Sequence, residues 1–369
     1  MKDLTDGTAQ AQPLPGMTNR VADVARTALR PLVRDIDGGL YPEDVMRAMG
    51  AAGAYGAHVG ADPDLSDTIE AVSLAGAHCT STAFCMWCQD ALAWYIASSD
   101  NDGLKAGLGA EIARGEKLGG TGLSNPMKTF FGIETMKLKG TRVPGGYRVT
   151  GALPWVSNVG ADGHFAVVFE TEEATPRRVM AVACGAWDGV STVEDHDFVA
   201  MGGTATRAVR FREAFIPDEF LLADPIDTYL PTIRAGFVLM QCGMAIGMIR
   251  SCIDLMHQVR GQLGHVNKYL EDQPEDFESA LARLEPEIAE LAATPRDTSI
   301  AFFRRVLEAR LAGGELSIAA ANAAMLHQGA RGYVGRGAAQ RRLREAYFVA
   351  IVTPATKQLR KMLAELPAA

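Results

Sequence analysis

Apolar residues recur through the first third of the chain at the spacing of one helix face. Examples are Val21, Val24 and Ala25, and later Ile69 and Val72. Apolar residues at i, i+3 and i+4 lie on one side of an α-helix and favour its burial against a core. Residues 18–118 are therefore predicted to be helical.

The pattern changes between residues 119 and about 222. Short runs with alternating or continuous apolar positions stand between Gly and Pro residues, as in 165–169, 179–182 and 207–212. Such runs predict strands, and their number predicts a β domain of seven or eight of them.

The helical period returns from about residue 228. One helix is marked by Phe277, Leu281, Leu284, Ile288 and Leu291, and we expect a break near Pro286 and an end at Thr294-Pro295. Further helices are predicted over 302–328 and 356–366. The order predicts an α+β fold with three parts: an N-terminal all-α domain (1–118), a middle β domain (119–227) and a C-terminal helical domain (228–369).

Net charge and hydropathy exclude some classes of binding partner. The 369 residues carry a formal net charge of −8, which argues against a general binder of nucleic acid or anionic membrane. Residues 1–17 are polar and are expected to be a frayed terminus without a signal peptide. The apolar run 235–249 contains Gln241 and is too short for a membrane span, so a buried core helix and a cytoplasmic protein are expected.

Cysteine and histidine spacing predicts no metal site. Cys85 and Cys88 have CxxC spacing, but no second pair follows at the distance of a zinc site, and both fall in the apolar helix predicted over 80–96. The seven His residues form no HxxxH or HExxH pattern. Both cysteines are interpreted as small core residues.

The run 146–158 carries the clearest candidate chemistry. A turn leads into an alternating strand that ends at Trp155 and Ser157, and residues two apart on a strand share a face. An indole beside a hydroxyl suits a flat heteroaromatic cofactor. An ordinary hairpin with a buried Trp is the alternative from this run alone.

Four stretches in this order resemble motifs of the acyl-CoA dehydrogenase superfamily. They are 146–158, 201–217 (beginning Met201-Gly202-Gly203-Thr204), 260–264 (Arg260-Gly261-Gln262-Leu263-Gly264) and 328–346. The resemblance implies a barrel-like middle β domain, a C-terminal four-helix bundle, FAD bound between them, and a homotetramer or homodimer.

The resemblance also implies roles for individual residues. Trp155 is expected to flank the flavin ring and Ser157, in place of the family's Thr, to bond near flavin N5. Leu123 and Ser124 are expected at the pyrimidine end, and Arg260 at the FAD diphosphate of a neighbouring subunit, where a guanidinium fork matches phosphate oxygens. Gln328 and Gly329 are expected at the adenylate half. Arg344 and Glu345 are expected to form structural ion pairs.

The chain departs from the family at the catalytic base. Thr353 stands where the family's Glu removes a proton from the acyl thioester, and a hydroxyl cannot act as a base near neutral pH. The second position that family members use falls near Phe237. The loop 124–131 lacks the family's glycines and CoA-contacting Ser, although Lys128 remains as a candidate anion ligand. The segment 272–296 is longer than in the family and is expected to form a helix pair or a surface loop.

Three functions are compatible with this pattern. The leading one is a flavin-dependent α,β-dehydrogenation of an acyl-CoA, with a flavoprotein as electron acceptor. The second is a flavin-dependent monooxygenase of the same fold, acting with oxygen on a small non-CoA substrate. The third is a non-catalytic flavin-binding protein. His78 and His327 are the candidate acid–base residues, and a structural histidine is the alternative for each.

Overall fold

The computed structural model describes residues 16–160, 163–194 and 197–367. The polar start expected over residues 1–17 lies mostly outside them. The outer helices of the first described part have one buried apolar face, as the sequence period predicts, whereas the helix Thr80–Ser98 is buried on all sides over residues 80–96. The helices of this part are α1 Met17–Val24, α2 Arg30–Asp37, α3 Glu43–Ala51, α4 Ser66–Gly76, α5 Thr80–Ser98, α6 Asp102–Leu104 and α7 Ala110–Ala113; π-helical turns Ala25–Leu29 and Lys105–Gly109 join α1 to α2 and α6 to α7.

The middle of the described chain forms one sheet of eight strands. They are β1 Gly119–Thr121, β2 Leu138–Val143, β3 Gly146–Val156, β4 His164–Thr171, β5 Arg178–Cys184, β6 Val190–Val193, β7 Arg207–Pro217 and β8 Leu221–Ala223. The order is β6-β7-β3-β2-β4-β5-β8, with β1 parallel to β4. Phe165 of β4 contacts Phe211 of β7 with ring centroids 6.3 Å apart, although two strands separate them in the sheet. The sheet therefore curls around its own core.

Strand β4 explains why the middle domain carries continuous apolar runs. Phe165, Val167 and Phe169 face the core inside the curled sheet, and Ala166 and Val168 face the core shared with the helices. A strand buried on both faces has no polar side to present, so its sequence shows no alternation.

A short helix replaces the loop expected over residues 124–131. This helix, α8 Ser124–Phe130, follows β1 directly. Pro126 lies in its first turn, where backbone N–H groups have no partner within the helix, so the missing N–H costs nothing there.

The last part of the described chain is helical. Its helices are α9 Leu230–Leu239, α10 Cys242–Asn267, α11 Pro274–Ala292, α12 Ile300–Gln328, α13 Ala338–Ile351 and α14 Thr356–Glu365. The four longest, α10 to α13, pack against one another and share a single hydrophobic core with the N-terminal helices. The strands begin at Gly119 and end at Ala223, and the division into domains at 118 and 227 stays a prediction.

The break expected near Pro286 is wrong, and so is the helix pair or loop expected over 272–296. Helix α11 runs through Pro286 without interruption. Pro286 lies on the exposed side, whereas Leu281, Leu284 and Ile288 are buried against the bundle. Burial of that apolar face outweighs the one backbone hydrogen bond that proline removes.

The apolar run 235–249 is interrupted at Met240-Gln241, between α9 and α10. Within the described residues, the helical stretch Leu230–Asn267 is long and apolar enough to cross a membrane by length and composition. Its most apolar window is 94% buried inside the protein, which is the behaviour of a core helix.

Candidate active site

The candidate site lies where the sheet meets the C-terminal bundle. The end of β1 packs against the end of β3 so closely that a Cβ on Gly120 would collide with the carbonyl oxygen of Ser157. Three residues later Leu123, which is buried, caps α8. The Ser124 hydroxyl then meets the Thr353 hydroxyl at 3.1 Å. The structure therefore brings Ser124 and Thr353 together across 229 residues of chain.

Helix α8 is held firmly in this position. The Asn125 amide donates to Glu134 at 3.0 Å, and the Gln358 amide of α14 donates to the carbonyl of Met127 at 3.2 Å. The Lys128 ammonium forms an ion pair with Glu134 at 3.0 Å. Lys128, the candidate anion ligand, is thus already engaged by a carboxylate of its own segment.

Two buried polar residues that the motifs did not identify lie beneath Thr353. The Gln241 amide donates to the carbonyl of Thr353 at 2.9 Å, and its carbonyl accepts from the Arg310 guanidinium at 2.8 Å. Arg310 also donates to the carbonyl of Val349. Burial lowers the pKa of Arg310 to about 10, which leaves it protonated at neutral pH. For Gln241 the available signal was a polar residue inside the apolar run 235–249, whereas Arg310 is one of several charged residues in the helix 302–328 and carried no comparable signal.

Neutral side chains lie where the resemblance implies the family's two base positions, at Thr353 and near Phe237. Phe237 is buried between Trp87 and Tyr95, with ring centroids 5.1 Å and 6.2 Å away. The Trp87 indole donates to the carbonyl of Phe237 at 3.1 Å, which fixes this aromatic group.

Trp155 and Ser157 differ sharply in exposure. The indole of Trp155 is 53% exposed and lies 5.9 Å from the ring of Phe198, so the alternative of a buried Trp in an ordinary hairpin does not hold. Ser157 is buried, and its hydroxyl meets that of Thr206 at 2.7 Å. Thr206 meets Thr204 at 2.7 Å. Both threonines belong to the motif that begins at Met201, but sequence reasoning assigned them no role.

Arg260, Gln328 and Gly329 lie at the other end of α10. Arg260 is exposed and forms an ion pair with Glu275. The Gln328 amide donates to the carbonyl of Leu255 at 2.6 Å, and Gly329 ends α12 with φ +56, a conformation that favours glycine. Gln241 and Arg260 are 19 residues apart, or about 28 Å along a helix axis. Within one chain these three residues do not join the Ser124–Thr353 site.

The two candidate histidines lie away from that site. His327 is buried and bonds the carbonyl of Asp272 at 2.9 Å, as a structural histidine does. His78 is half-buried, and its pKa is lowered by burial and by Arg342. Neither has a contact that would support acid–base catalysis at Ser124 and Thr353.

Arg344 and Glu345 form the structural ion pairs expected of them. Glu345 is buried and accepts from Arg341 and Arg342, each at 2.9 Å, and from the hydroxyl of Thr80 at 3.2 Å. The guanidinium of Arg344 meets Asp37 at 2.6 Å. A carboxylate with three donors is not available as the missing base.

The cysteines are all free and buried, including Cys85 and Cys88 on α5. Burial raises the pKa of the Cys88 thiol, which keeps it protonated and unreactive. Among the described residues, no group of three or more His, Cys, Asp or Glu is placed to hold a metal ion.

The aromatic and polar groups at the Trp155 end fit a flavin ring. A flat, half-exposed indole lies two residues from a buried hydroxyl, and a second hydroxyl pair, Ser124 and Thr353, lies close to the same strand ends. Apolar surface combined with a few fixed polar groups is what a heteroaromatic ligand requires.

Known proteins were compared with this chain by sequence and by structure, and the matches share its fold. No protein-family model matches the sequence. A mitochondrial isovaleryl-CoA dehydrogenase of Solanum tuberosum is 26% identical over 152 residues, which are 40% of this chain and 36% of that protein's length. The butyryl-CoA dehydrogenase of Megasphaera elsdenii superposes with a TM-score of 0.83 at 15% identity, over 96% of this chain and 99% of that one.

Two further structures carry different activities on the same fold. The dibenzothiophene monooxygenase of Paenibacillus sp. A11-2 superposes with a TM-score of 0.80 at 15% identity, covering 94% and 96% of the two chains. A glutaryl-CoA dehydrogenase of Mycobacterium smegmatis in complex with FADH2 gives 0.75 at 15% identity, covering 95% and 92%. Helices, an eight-stranded sheet and a terminal bundle, arranged as in these structures, give this chain the fold of the acyl-CoA dehydrogenase superfamily.

Proposed function

We propose that the chain is an FAD-dependent oxidoreductase that works without a carboxylate base, as a monooxygenase of a small organic substrate. The observation that supports the proposal is the neutral character of Thr353 and of Phe237, at and near the positions where the resemblance implies a base, together with the ion pairs that engage Glu345. Abstraction of an α-proton needs a group of suitable pKa, and neither Thr nor Phe supplies one.

The residues that would hold FAD are Trp155 and Ser157 beside the ring, with Leu123 and Ser124 at its edge. When bound, FAD supplies two-electron redox chemistry that protein side chains lack. In a monooxygenation, one atom of O₂ enters the substrate and the other leaves as water. An external reductant such as a reduced nicotinamide supplies two electrons and one proton as a hydride, and solvent supplies the second proton.

The chain's own contribution is orientation and charge. Ser124 and Thr353 have two hydroxyl protons, and their mutual hydrogen bond uses one. The other can be donated to an oxygen atom of the substrate. Arg310 carries a buried positive charge and donates to Gln241, which in turn donates to the Thr353 carbonyl. This positive charge beneath the site favours a substrate whose reacting end is electron-rich.

Acyl-CoA dehydrogenation is the second candidate, and the 152-residue match to an isovaleryl-CoA dehydrogenase favours it. This reaction would remove two electrons and two protons from the substrate. It requires a base other than Thr353, and an acceptor such as an electron-transferring flavoprotein.

We propose further that two copies complete each cofactor site. Arg260 lies about 28 Å along α10 from Gln241 and the Thr353 end of the site, and Gln328 bonds Leu255 in the same half of that helix. This separation supports a homodimer or homotetramer in which Arg260 of one copy leaves Glu275 and meets the FAD diphosphate of another.

An experiment on FAD-reconstituted protein separates these functions. Under anaerobic conditions, acyl-CoAs of increasing chain length are titrated in, and absorbance near the flavin maximum is followed. In parallel, chemically reduced protein receives ¹⁸O₂ with indole or dibenzothiophene as probe substrates, and products are analysed by mass spectrometry.

Label in a product without acyl-CoA bleaching supports the monooxygenase. Bleaching by an acyl-CoA overturns it in favour of the dehydrogenase. FAD binding with neither reaction supports the non-catalytic role, and failure to bind FAD refutes all three.

A further inference from the structure

A row of three hydroxyls runs from Ser157 into the protein and ends on a backbone carbonyl. The Thr204 hydroxyl donates to the carbonyl of Met201 at 2.8 Å. Thr204 lies 2.7 Å from Thr206, and Thr206 lies 2.7 Å from Ser157. We call these residues, Met201, Thr204, Thr206 and Ser157, the hydroxyl relay.

The carbonyl sets the direction of every proton in the hydroxyl relay. A carbonyl oxygen can only accept, and a hydroxyl has one proton to donate. The proton of Thr204 is therefore committed to Met201. The bond between Thr204 and Thr206 must then use the proton of Thr206, and the bond between Thr206 and Ser157 must use the proton of Ser157. Each distance is that of a well-formed O–H···O bond.

The backbone around Ser157 keeps this arrangement rigid. The N–H of Asn158 donates to the carbonyl of Thr204 at 2.9 Å. The Asn158 amide donates to the carbonyl of Gly119 at 2.6 Å and accepts from the Tyr41 hydroxyl at 2.7 Å. Thr204 and Asn158 are almost fully buried, so water does not compete for these bonds.

We infer that Ser157 presents only an acceptor to the ligand beside Trp155, and that the hydroxyl relay thereby favours the reduced flavin over the oxidised one. This inference rests on the proposed FAD binding. The oxidised ring offers bare nitrogen acceptors at its redox-active centre, whereas the reduced ring carries an additional N–H there. Because its proton is used in the bond to Thr206, the Ser157 hydroxyl can accept a hydrogen bond from that N–H but cannot donate one to the nitrogen of the oxidised ring.

Preference for the reduced cofactor is what an enzyme needs if its reduced form must persist until a second reactant arrives. The Ser124–Thr353 pair differs in this respect. Among the described residues, neither hydroxyl donates to a backbone carbonyl, so one of the two protons is free to turn outward. The hydroxyls at the site therefore differ in function. Ser157 accepts a hydrogen bond from the ligand, and the Ser124–Thr353 pair donates one.

Thr206→Val tests the direction of the relay. Valine keeps the shape of threonine but removes the acceptor, so the Ser157 proton is released to point outward at the oxidised ring. We expect the ratio of the dissociation constants of oxidised and reduced flavin to fall about tenfold, the effect of one neutral hydrogen bond. For a two-electron couple this is a decrease of about 30 mV in the midpoint potential of the bound flavin.

The controls separate this effect from a loss of structure. Thr206→Ser keeps the relay and should retain the wild-type potential. Thr141→Val removes an exposed strand hydroxyl that bonds Glu172 at 2.9 Å, and should also leave the potential unchanged. In a Ser157→Ala background, Thr206→Val should have no further effect, because the relay then no longer reaches the ligand. Thr206→Ala replaces the valine variant if that protein does not fold.

An unchanged or raised potential in Thr206→Val overturns the inference and leaves FAD binding intact. So does a shift of equal size in the Ser157→Ala background, since the effect would then be structural. A wild-type protein that binds no FAD refutes the proposed function, and the inference with it.

Discussion

Gln241 holds two parts of the candidate site together, and its removal should measurably destabilise the protein. It is fully buried and bonds Thr353 at 2.9 Å and Arg310 at 2.8 Å, one through each atom of its amide. Gln241→Leu keeps a side chain of similar volume but removes both bonds. Arg310 then loses one acceptor for its buried charge, and the Thr353 carbonyl loses its donor.

The magnitude follows from the groups left without partners. A hydrogen bond to a charged group contributes about 1.5–3 kcal/mol, and a buried carbonyl without its donor costs about 1–3 kcal/mol. We therefore expect the free energy of unfolding to fall by about 3–5 kcal/mol. For a chain of 369 residues this corresponds to a decrease of about 4–6 °C in Tm.

Differential scanning calorimetry of three variants tests this reasoning. Gln241→Glu keeps an acceptor for Arg310 but loses the donor to Thr353, so its Tm should fall less than that of Gln241→Leu. Gln262→Leu is the matched control, because Gln262 is exposed and bonds only a surface guanidinium, that of Arg331, at 2.9 Å. Its Tm should change by less than about 1 °C, as exposed substitutions generally do. A Gln241→Leu protein within 1 °C of wild type, or a Gln241→Glu protein equally destabilised, would refute the argument.

Three further predictions concern other residues. Burial raises the pKa of Asp90 well above its usual range, so the folded state retains a proton that the unfolded chain releases above about pH 4, and stability falls as pH rises towards the folded pKa. Asp90→Asn should therefore raise Tm more at pH 8 than at pH 5; equal gains would contradict this. Arg260→Ala should weaken FAD binding roughly 10- to 150-fold, the effect of losing a charged contact, and leave FMN binding unchanged in fluorescence titrations. Equal losses for both flavins would exclude the diphosphate contact. Thr353→Glu should introduce or raise acyl-CoA dehydrogenation, since a correctly placed base gives about 10²–10⁴ in rate; turnover no higher than that of wild type with a panel of acyl-CoAs would show that position 353 does not face the substrate.

The local sequence pattern predicted secondary structure correctly in segments where burial of apolar side chains dominates the free energy. The helical period in the first and last parts, and the apolar runs of β4 and β5, reflect burial against a core, and the structure has helices and strands there. Burial also explains the failure at Pro286. Proline has a strong local preference to end a helix, but the packing of three neighbouring apolar side chains is worth more.

The motif resemblance located Ser124 and Thr353, and the structure brings them into contact. It could not identify Gln241 and Arg310, because a buried polar residue is recognised by its partners, and these partners are far away in the sequence. The sequence also could not show that Lys128 is paired. It was a candidate anion ligand by residue type, but in the structure its ammonium group forms an ion pair with Glu134.

By itself, the sequence determined the α+β order, the apolar character of the central helices and the absence of a base at position 353. These are properties of residue type and spacing. Only the tertiary structure decided that Ser157 donates to Thr206, since this depends on the segment 201–206, which ends on the Met201 carbonyl, being folded against Ser157, 49 residues away from Thr206 in the sequence. Hydrogen-bond direction is a property of neighbours in space, and the chain brings those neighbours together only when it folds.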